Sequence, residues 1–165
     1  MNRDVQGAAF CLPENIEGGP FSPHLVLVLK IQEQMILTIK AITEPTTGSI
    51  GLDKELTTTV LPLEDFDKVN LEAPTLAMGH FPDVIVCSLG NIICCLVRSK
   101  GALFAYELHG SELKKIAQEQ IGHYVVDAVM RYSAIEGGAE IVMLLSDNEN
   151  QKDGRISSYY FRASV

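Results

Sequence analysis

Apolar residues along this chain occur in short runs separated by turn residues, a pattern that predicts β-strands rather than long helices. The run at 24–30 is almost entirely apolar, which is typical of a strand buried on both faces. Residues 35–43 follow a polar turn and alternate, so we expect them to return as its antiparallel partner. Further strands are predicted at 5–10 and 55–63, with a loop at 44–54.

The central part of the chain predicts a three-stranded meander. Residues 83–89 and 91–99 meet at Gly90-Asn91, and a two-residue Gly-Asn connection favours a hairpin because both residue types tolerate positive φ. A further turn leads to a strand at 102–108. A meander of this kind needs only local connections between its strands.

The segment 111–134 has two interpretations. Its apolar residues recur every three or four positions, the pattern of an amphipathic helix that Ser111 could cap. However, Gly122-His123 interrupts the pattern, and the part that follows is rich in valine and tyrosine, which favour strands. We favour two strands broken at Gly122, and keep a single helix as the alternative.

The end of the chain repeats an earlier pattern. A final hairpin is predicted from 140–146 and 155–162. Residues 153–161 resemble residues 100–108, since each segment has a turn glycine, alternating apolar residues and then an aromatic residue. Self-similarity of this kind is typical of repeat architectures.

These segments resemble blades of WD-repeat β-propellers, with the best match over residues 99–162. In that family a blade runs from Gly-His through two strands to an Asp-Gly turn and a strand that ends in Trp-Asp. The matching positions in the last blade are Gly122-His123, Asp153-Gly154 and Tyr159-Tyr160 in place of Trp-Asp. Lys100-Gly101 and Tyr106-Glu107 take the turn and strand-end positions one blade earlier.

The resemblance implies an all-β fold of antiparallel meander blades, as part of a WD-repeat-like propeller. It places blade 1 at 4–63, a connection at 64–82, blade 2 at 83–121 and blade 3 at 122–162. The α+β alternative has an antiparallel sheet with one helix at about 111–134. The family's hydrogen-bonded set inside a blade maps by position onto His123, Ser146, Asp153 and Tyr159.

Composition limits the classes of partner. The chain has 165 residues and a net charge of −8, and its longest basic run is Lys114-Lys115, so nucleic acid is not expected as a partner. No apolar run is long enough to insert in a membrane. The four cysteines lack CxxC spacing, and we interpret them as buried free thiols of a reducing compartment. Cys94 and Cys95 are adjacent, so in a strand they point to opposite faces.

No catalytic, cofactor-binding or metal-binding residue is predicted. The four histidines are scattered without the close spacing of metal ligands, and His123 is interpreted as a structural hydrogen-bonding residue. Neither Gly18-Gly19 nor Gly137-Gly138 fits a phosphate-binding loop. The acidic residues at 64–67 lack the alternating carboxylates of a calcium loop.

We therefore expect a non-enzymatic protein–protein interaction scaffold. It would be a subunit, or an N-terminal fragment, within an intracellular complex in the cytoplasm or nucleus. Its expected partners are other protein subunits, including a chain that completes the propeller. The alternative is a compact α+β adaptor or assembly chaperone that dimerises through a sheet edge.

Overall fold

A computed structural model describes residues 4–11, 23–43, 51–66, 68–71, 82–133, 138–146 and 154–161. Within these ranges two short 3-10 helices, Leu63–Phe66 and Arg98–Lys100, accompany the strands. The strands are β1 (Asp4–Cys11), β2 (His24–Ile31), β3 (Gln34–Thr43), β4 (Gly51–Val60), β5 (Val84–Leu89), β6 (Ile92–Val97), β7 (Ala102–His109), β8 (Glu112–Gln120), β9 (Val125–Tyr132), β10 (Ala139–Ser146) and β11 (Gly154–Phe161).

The strands form three antiparallel sheets, each of which follows the order of the chain. Sheet A has the order β1-β2-β3-β4, sheet B has β5-β6-β7-β8, and sheet C has β11-β10-β9. Each sheet is thus a meander whose neighbouring strands are consecutive in sequence. The expected all-β class is confirmed. The blade ranges 4–63, 83–121 and 122–162 each contain one of these sheets, and their division into propeller blades stays a prediction.

The helical alternative for 111–134 is wrong over its described part, residues 111–133. Strand β8 pairs with β7, strand β9 pairs with β10, and Gly122 lies between them with a φ of 80°. The helix-like spacing has a local cause, since the β7–β8 register shifts between Ala105 and Tyr106. A bulge of this kind moves the next side chains to the other face. Accordingly, Leu113 and Ile116 pack on opposite sides of sheet B.

Strand β4 differs from its predicted limits. It begins at Gly51 rather than at residue 55, so the predicted loop at 44–54 ends earlier, and residues 44–50 lie outside the described part of the chain. The strand ends at Val60, before Pro62, which has no N–H for a ladder. The first residues of β4 are strand because they pair with β3: Gly51 lies opposite Thr43, and two register shifts in β3 separate this end of the ladder from the rest. Local composition does not reveal such pairing.

Sheet B lies between the other two sheets and is covered on both faces. One core cluster joins sheets A and B and the other joins sheets B and C. Every residue of β6 is buried, with Cys95 in the first cluster and Cys94 in the second, which confirms that their side chains point to opposite faces. In the first cluster Phe104 is fully buried and meets Phe66 edge to face, with ring centroids 5.7 Å apart.

The first strands of the three sheets, β1, β5 and β9, lie side by side. Strands β1 and β5 approach so closely that a Cβ at Gly7 would be 2.6 Å from the carbonyl oxygen of Val84. The Ser88 hydroxyl donates to the carbonyl oxygen of Phe10 at 2.5 Å. Strand β5 also contacts β9, since the Cys87 thiol donates to the carbonyl oxygen of Ala128 at 3.5 Å. Each sheet therefore meets the next along its first strand.

Candidate interaction face

Because sheet B is the middle layer, sheets A and C each have an inner face toward it and an outer face that points away. Side chains alternate along a strand, and residues directly opposite in the register share a face. Residues of β9, β10 and β11 that alternate with the core positions therefore form the outer face of sheet C. Those whose side chains the structure describes are Asp127, Val129, Arg131, Glu140, Val142, Leu144, Ser146, Ile156 and Ser158.

The outer face of sheet C carries exposed apolar side chains on all three of its strands. Val129, Leu144 and Ile156 are 60%, 41% and 75% exposed, and Val142 is half-buried between Val129 and Ser158. They border a shallow groove of about 250 Å³. Scattered single apolar side chains are common on protein surfaces, whereas a contiguous group marks an interaction surface.

The charged residues of this face lie toward its two ends. At one end Nε of Arg131 donates to Oε2 of Glu140 at 2.7 Å, and the pair combines an exposed guanidinium with a buried carboxylate. At the other end Oδ1 of Asp127 accepts from the backbone N–H of Ala128 at 2.9 Å. A polar rim around an apolar centre is the usual anatomy of a protein–protein interface.

Sheet A also presents apolar side chains on its outer face. Val5 and Phe10, both on β1, are 55% and 67% exposed, and Val60 at the end of β4 is exposed as well. Leu25 and Leu27 are half-buried on the same face, whereas Leu29 and Thr38 are buried. The accessible apolar surface of sheet A therefore follows β1 and the end of β4.

The predicted blade set is only partly described. Ser146 ends β10, and its backbone N–H donates to the carbonyl oxygen of Tyr124 at 2.9 Å. His123 lies in the turn before β9, and its Nδ1 is buried without a hydrogen-bond partner among the described residues. Asp153 lies outside the described residues. The set as a whole therefore stays a prediction.

Tyr159 connects two sheets. Its hydroxyl donates to Oε1 of Glu119 on β8 at 2.8 Å, and this hydrogen bond raises the pKa of Tyr159. Tyr159 lies opposite Ile141 in the register, whereas Ser146 lies opposite Gly154 near the other end of the hairpin. The described contact of Tyr159 thus joins sheet C to sheet B, and does not reach Ser146.

The four cysteines are free and buried, as the sequence predicts. Burial raises the pKa of Cys11 to about 11 and that of Cys95 to about 12. Cys11 donates to the carbonyl oxygen of Gly90 at 3.2 Å, so it holds β1 near the β5–β6 turn. The described residues contain no group of three His, Cys, Asp or Glu side chains placed to hold a metal ion. In that same part of the chain no helix has the length and apolarity to cross a bilayer.

Sequence reasoning did not single out the outer face of sheet C. The sequence does contain a signal for this face, since residues 141–145 (Ile-Val-Met-Leu-Leu) are all apolar and do not alternate with polar residues as a strand with one solvent-exposed face does. Such a run is typical of a strand covered on both faces, but the structure covers only its inner face. The mismatch between sequence pattern and coverage identifies the candidate face.

Comparison of the chain with known proteins gives no family assignment. Neither the models of known protein families nor the curated protein sequences give a significant match. The resemblance to WD-repeat propellers therefore depends on the residues quoted above.

Proposed function

We propose that this protein is a non-enzymatic interaction scaffold that joins a multi-protein complex through the outer face of sheet C. The observation that carries the proposal is the exposed group Val129, Leu144 and Ile156, one from each strand of that sheet. Three large apolar side chains side by side on a sheet face are more stable when another protein covers them.

Burial of the exposed apolar side chains at this face would contribute a large part of the free energy that specific association requires. Full burial of a Val, Leu or Ile side chain contributes about 1.5–3 kcal/mol. Scaled by their exposed fractions, Val129, Leu144 and Ile156 together would contribute about 3–5 kcal/mol on burial. The loss of translational and rotational freedom opposes this contribution, so further contacts around the rim are needed.

A β-sheet with an apolar face is the partner surface that fits best. The inner face of sheet C already packs on sheet B in this way, and closed propellers have at least about four such sheets. The side-by-side arrangement of β1, β5 and β9 supports reading the three sheets as part of a propeller that a partner chain completes.

Charge and cysteine chemistry support the nature and location of the complex. With a net charge of −8, the chain would be repelled by nucleic acid, so protein subunits are the proposed partners. The free buried thiols suit a reducing compartment, the cytoplasm or nucleus. The chain would act there as a subunit that positions other proteins.

Photo-crosslinking in cells tests the proposal. A photo-reactive phenylalanine analogue is placed at Ile156 on the candidate face, and at Gln120, an exposed polar position on β8, as the matched control. We expect irradiation to give a discrete protein adduct from position 156 and none from position 120. Equal adduct yields at both positions, or none at either, would contradict the proposal.

A further inference from the structure

We infer that the outer face of sheet C receives the outer face of sheet A from a second copy of this chain. Two copies joined in this way at both ends form a closed ring of six sheets. The inference rests on the proposed function and names the partner for its face. Six sheets fall within the four to eight that closed propellers contain.

A second copy placed in this way continues the junctions inside the molecule. Sheet A packs on one face of sheet B, and sheet C packs on the other. The outer faces of sheets A and C therefore lie at opposite ends of the three packed sheets and point in opposite directions. A second copy whose sheet A lies on sheet C repeats the direction of the existing junctions, with its β1 next to β9.

The outer faces of sheets A and C both carry apolar side chains on their first strand. Phe10 and Val5 lie on β1 of sheet A, and Val129 lies on β9 of sheet C. Ile156 and Leu144 extend the apolar surface of sheet C toward β11. The two faces thus offer matched apolar surface along the strands that would meet first.

The area of the outer face of sheet C limits how much surface one junction can bury. Sheet C has three strands of eight residues, which corresponds to a face of about 27 Å by about 14 Å, or roughly 380 Å². One junction would bury at most about 750 Å² over both partners, less than the 1,200 Å² or so at the lower end of stable interfaces. Two junctions would bury at most about 1,500 Å², which is within the range of standard interfaces.

Head-to-tail, or heterologous, contacts of this kind can form either a closed ring or an open filament, and the buried area distinguishes the two. An open pair gains one junction of insufficient area, whereas the closed pair gains both with no additional loss of freedom. The area favours the two-copy ring.

Net charge opposes the association. Each copy carries a charge of −8, so two copies repel each other, and salt screens this repulsion. We expect the fraction of dimer at a fixed protein concentration to rise between low and moderate ionic strength. A dimer held mainly by ion pairs would show the opposite dependence.

The experiment is light scattering on the purified chain and on three variants, one for each end face and one control. Ile156→Asp alters the sheet C face, Phe10→Asp alters the sheet A face, and Gln120→Asp adds the same charge at an exposed polar position. We expect the wild type and Gln120→Asp to show twice the 18.1 kDa of one chain. Each face variant alone should remain at 18.1 kDa, because both of its junctions contain an altered face.

Mixing the two face variants gives the decisive result. In a mixed ring one junction contains both altered faces, and the other contains two unaltered faces. We expect the mixture to recover a dimer that is weaker than that of the wild type but stronger than that of either variant alone. Far-UV circular dichroism of each variant confirms that the sheets are intact.

Three outcomes would overturn the inference. One is a wild type that stays at the mass of one chain up to several hundred micromolar. Another is a dimer lost in Ile156→Asp but kept in Phe10→Asp, since that means two sheet C faces pack on each other. The third is growth beyond two copies, which means an open filament. If the wild type is monomeric while position 156 crosslinks to a different protein, the inference fails and the proposed function stands.

Discussion

Two glycines with the same backbone conformation provide a test of the turn between sheets B and C. Gly101 and Gly122 have φ values of 55° and 80°, in the left-handed region. An alanine at such a position costs about 1–2 kcal/mol from backbone strain alone. The two sites differ in what an added Cβ would contact, so their comparison separates strain from packing.

At Gly122 an added Cβ has no heavy atom within 4 Å, so we expect Gly122→Ala to destabilise by about 1–2 kcal/mol through strain only. At Gly101 the added Cβ would be 2.7 Å from the carbonyl oxygen of His123 and 3.0 Å from Cδ1 of Leu71. The backbone oxygen must move, which adds about 1–3 kcal/mol. The Ile121 N–H, which donates to the Gly101 carbonyl oxygen at 2.6 Å, would shift with it.

The measurement is urea unfolding of both variants and the wild type, followed by far-UV circular dichroism. We expect Gly101→Ala to lose about 2–5 kcal/mol in the free energy of unfolding, more than Gly122→Ala by at least about 1 kcal/mol. Equal losses would refute the contact between Gly101 and the His123 turn. A gain of about 0.5–1 kcal/mol in Gly122→Ala would refute the turn itself, because that is the effect of alanine inside a helix.

Three further predictions concern individual contacts. Burial raises the pKa of Cys11 from 9.0 to about 11, so its neutral thiol contributes stability that is complete below pH 9 and is lost as the pH rises to 11. Unfolding in urea with reductant should therefore require less urea at pH 10.5 than at pH 8. An unchanged unfolding midpoint would contradict this. A double-mutant cycle with Tyr159→Phe and Glu119→Ala, each of which removes one partner of the hydrogen bond, should give a coupling of about 0.5–1 kcal/mol, and no coupling would mean that their hydrogen bond does not contribute. Arg131→Ala should destabilise the folded protein by about 1–3 kcal/mol because it removes an ion-pair partner from the buried Glu140 carboxylate. Arg131→Lys keeps the charge and should destabilise it less. Equal losses of stability in thermal unfolding would refute the role of the charge.

The antiparallel meanders could be predicted from local sequence. The Gly90-Asn91 connection fixes a hairpin within a few residues, and Leu89 lies opposite Ile92 across it in the structure. The same applies to Gly122, whose positive φ ends one strand before the next begins. In each case the deciding contacts lie between residues close in sequence, so side-chain pattern and turn chemistry contain the information.

The candidate face could not be predicted in the same way. An apolar run such as 141–145 has the same sequence whether one or both of its faces are covered. The start of β4 at Gly51 likewise depends on its β3 partner. Whether the outer face of such a strand is exposed or buried depends on how many sheets pack against it.

By itself, the sequence predicted most of the strands and turns, favoured the all-β class over the α+β alternative, and gave the opposite directions of Cys94 and Cys95, because backbone alternation and turn geometry are local properties. The tertiary structure decided that sheet B is covered twice while sheets A and C each keep an outer face, and that Tyr159 bonds to Glu119 on the neighbouring sheet. These features arise from the order in which sheets stack. Stacking brings together residues far apart in the chain, whose pairing no local pattern specifies.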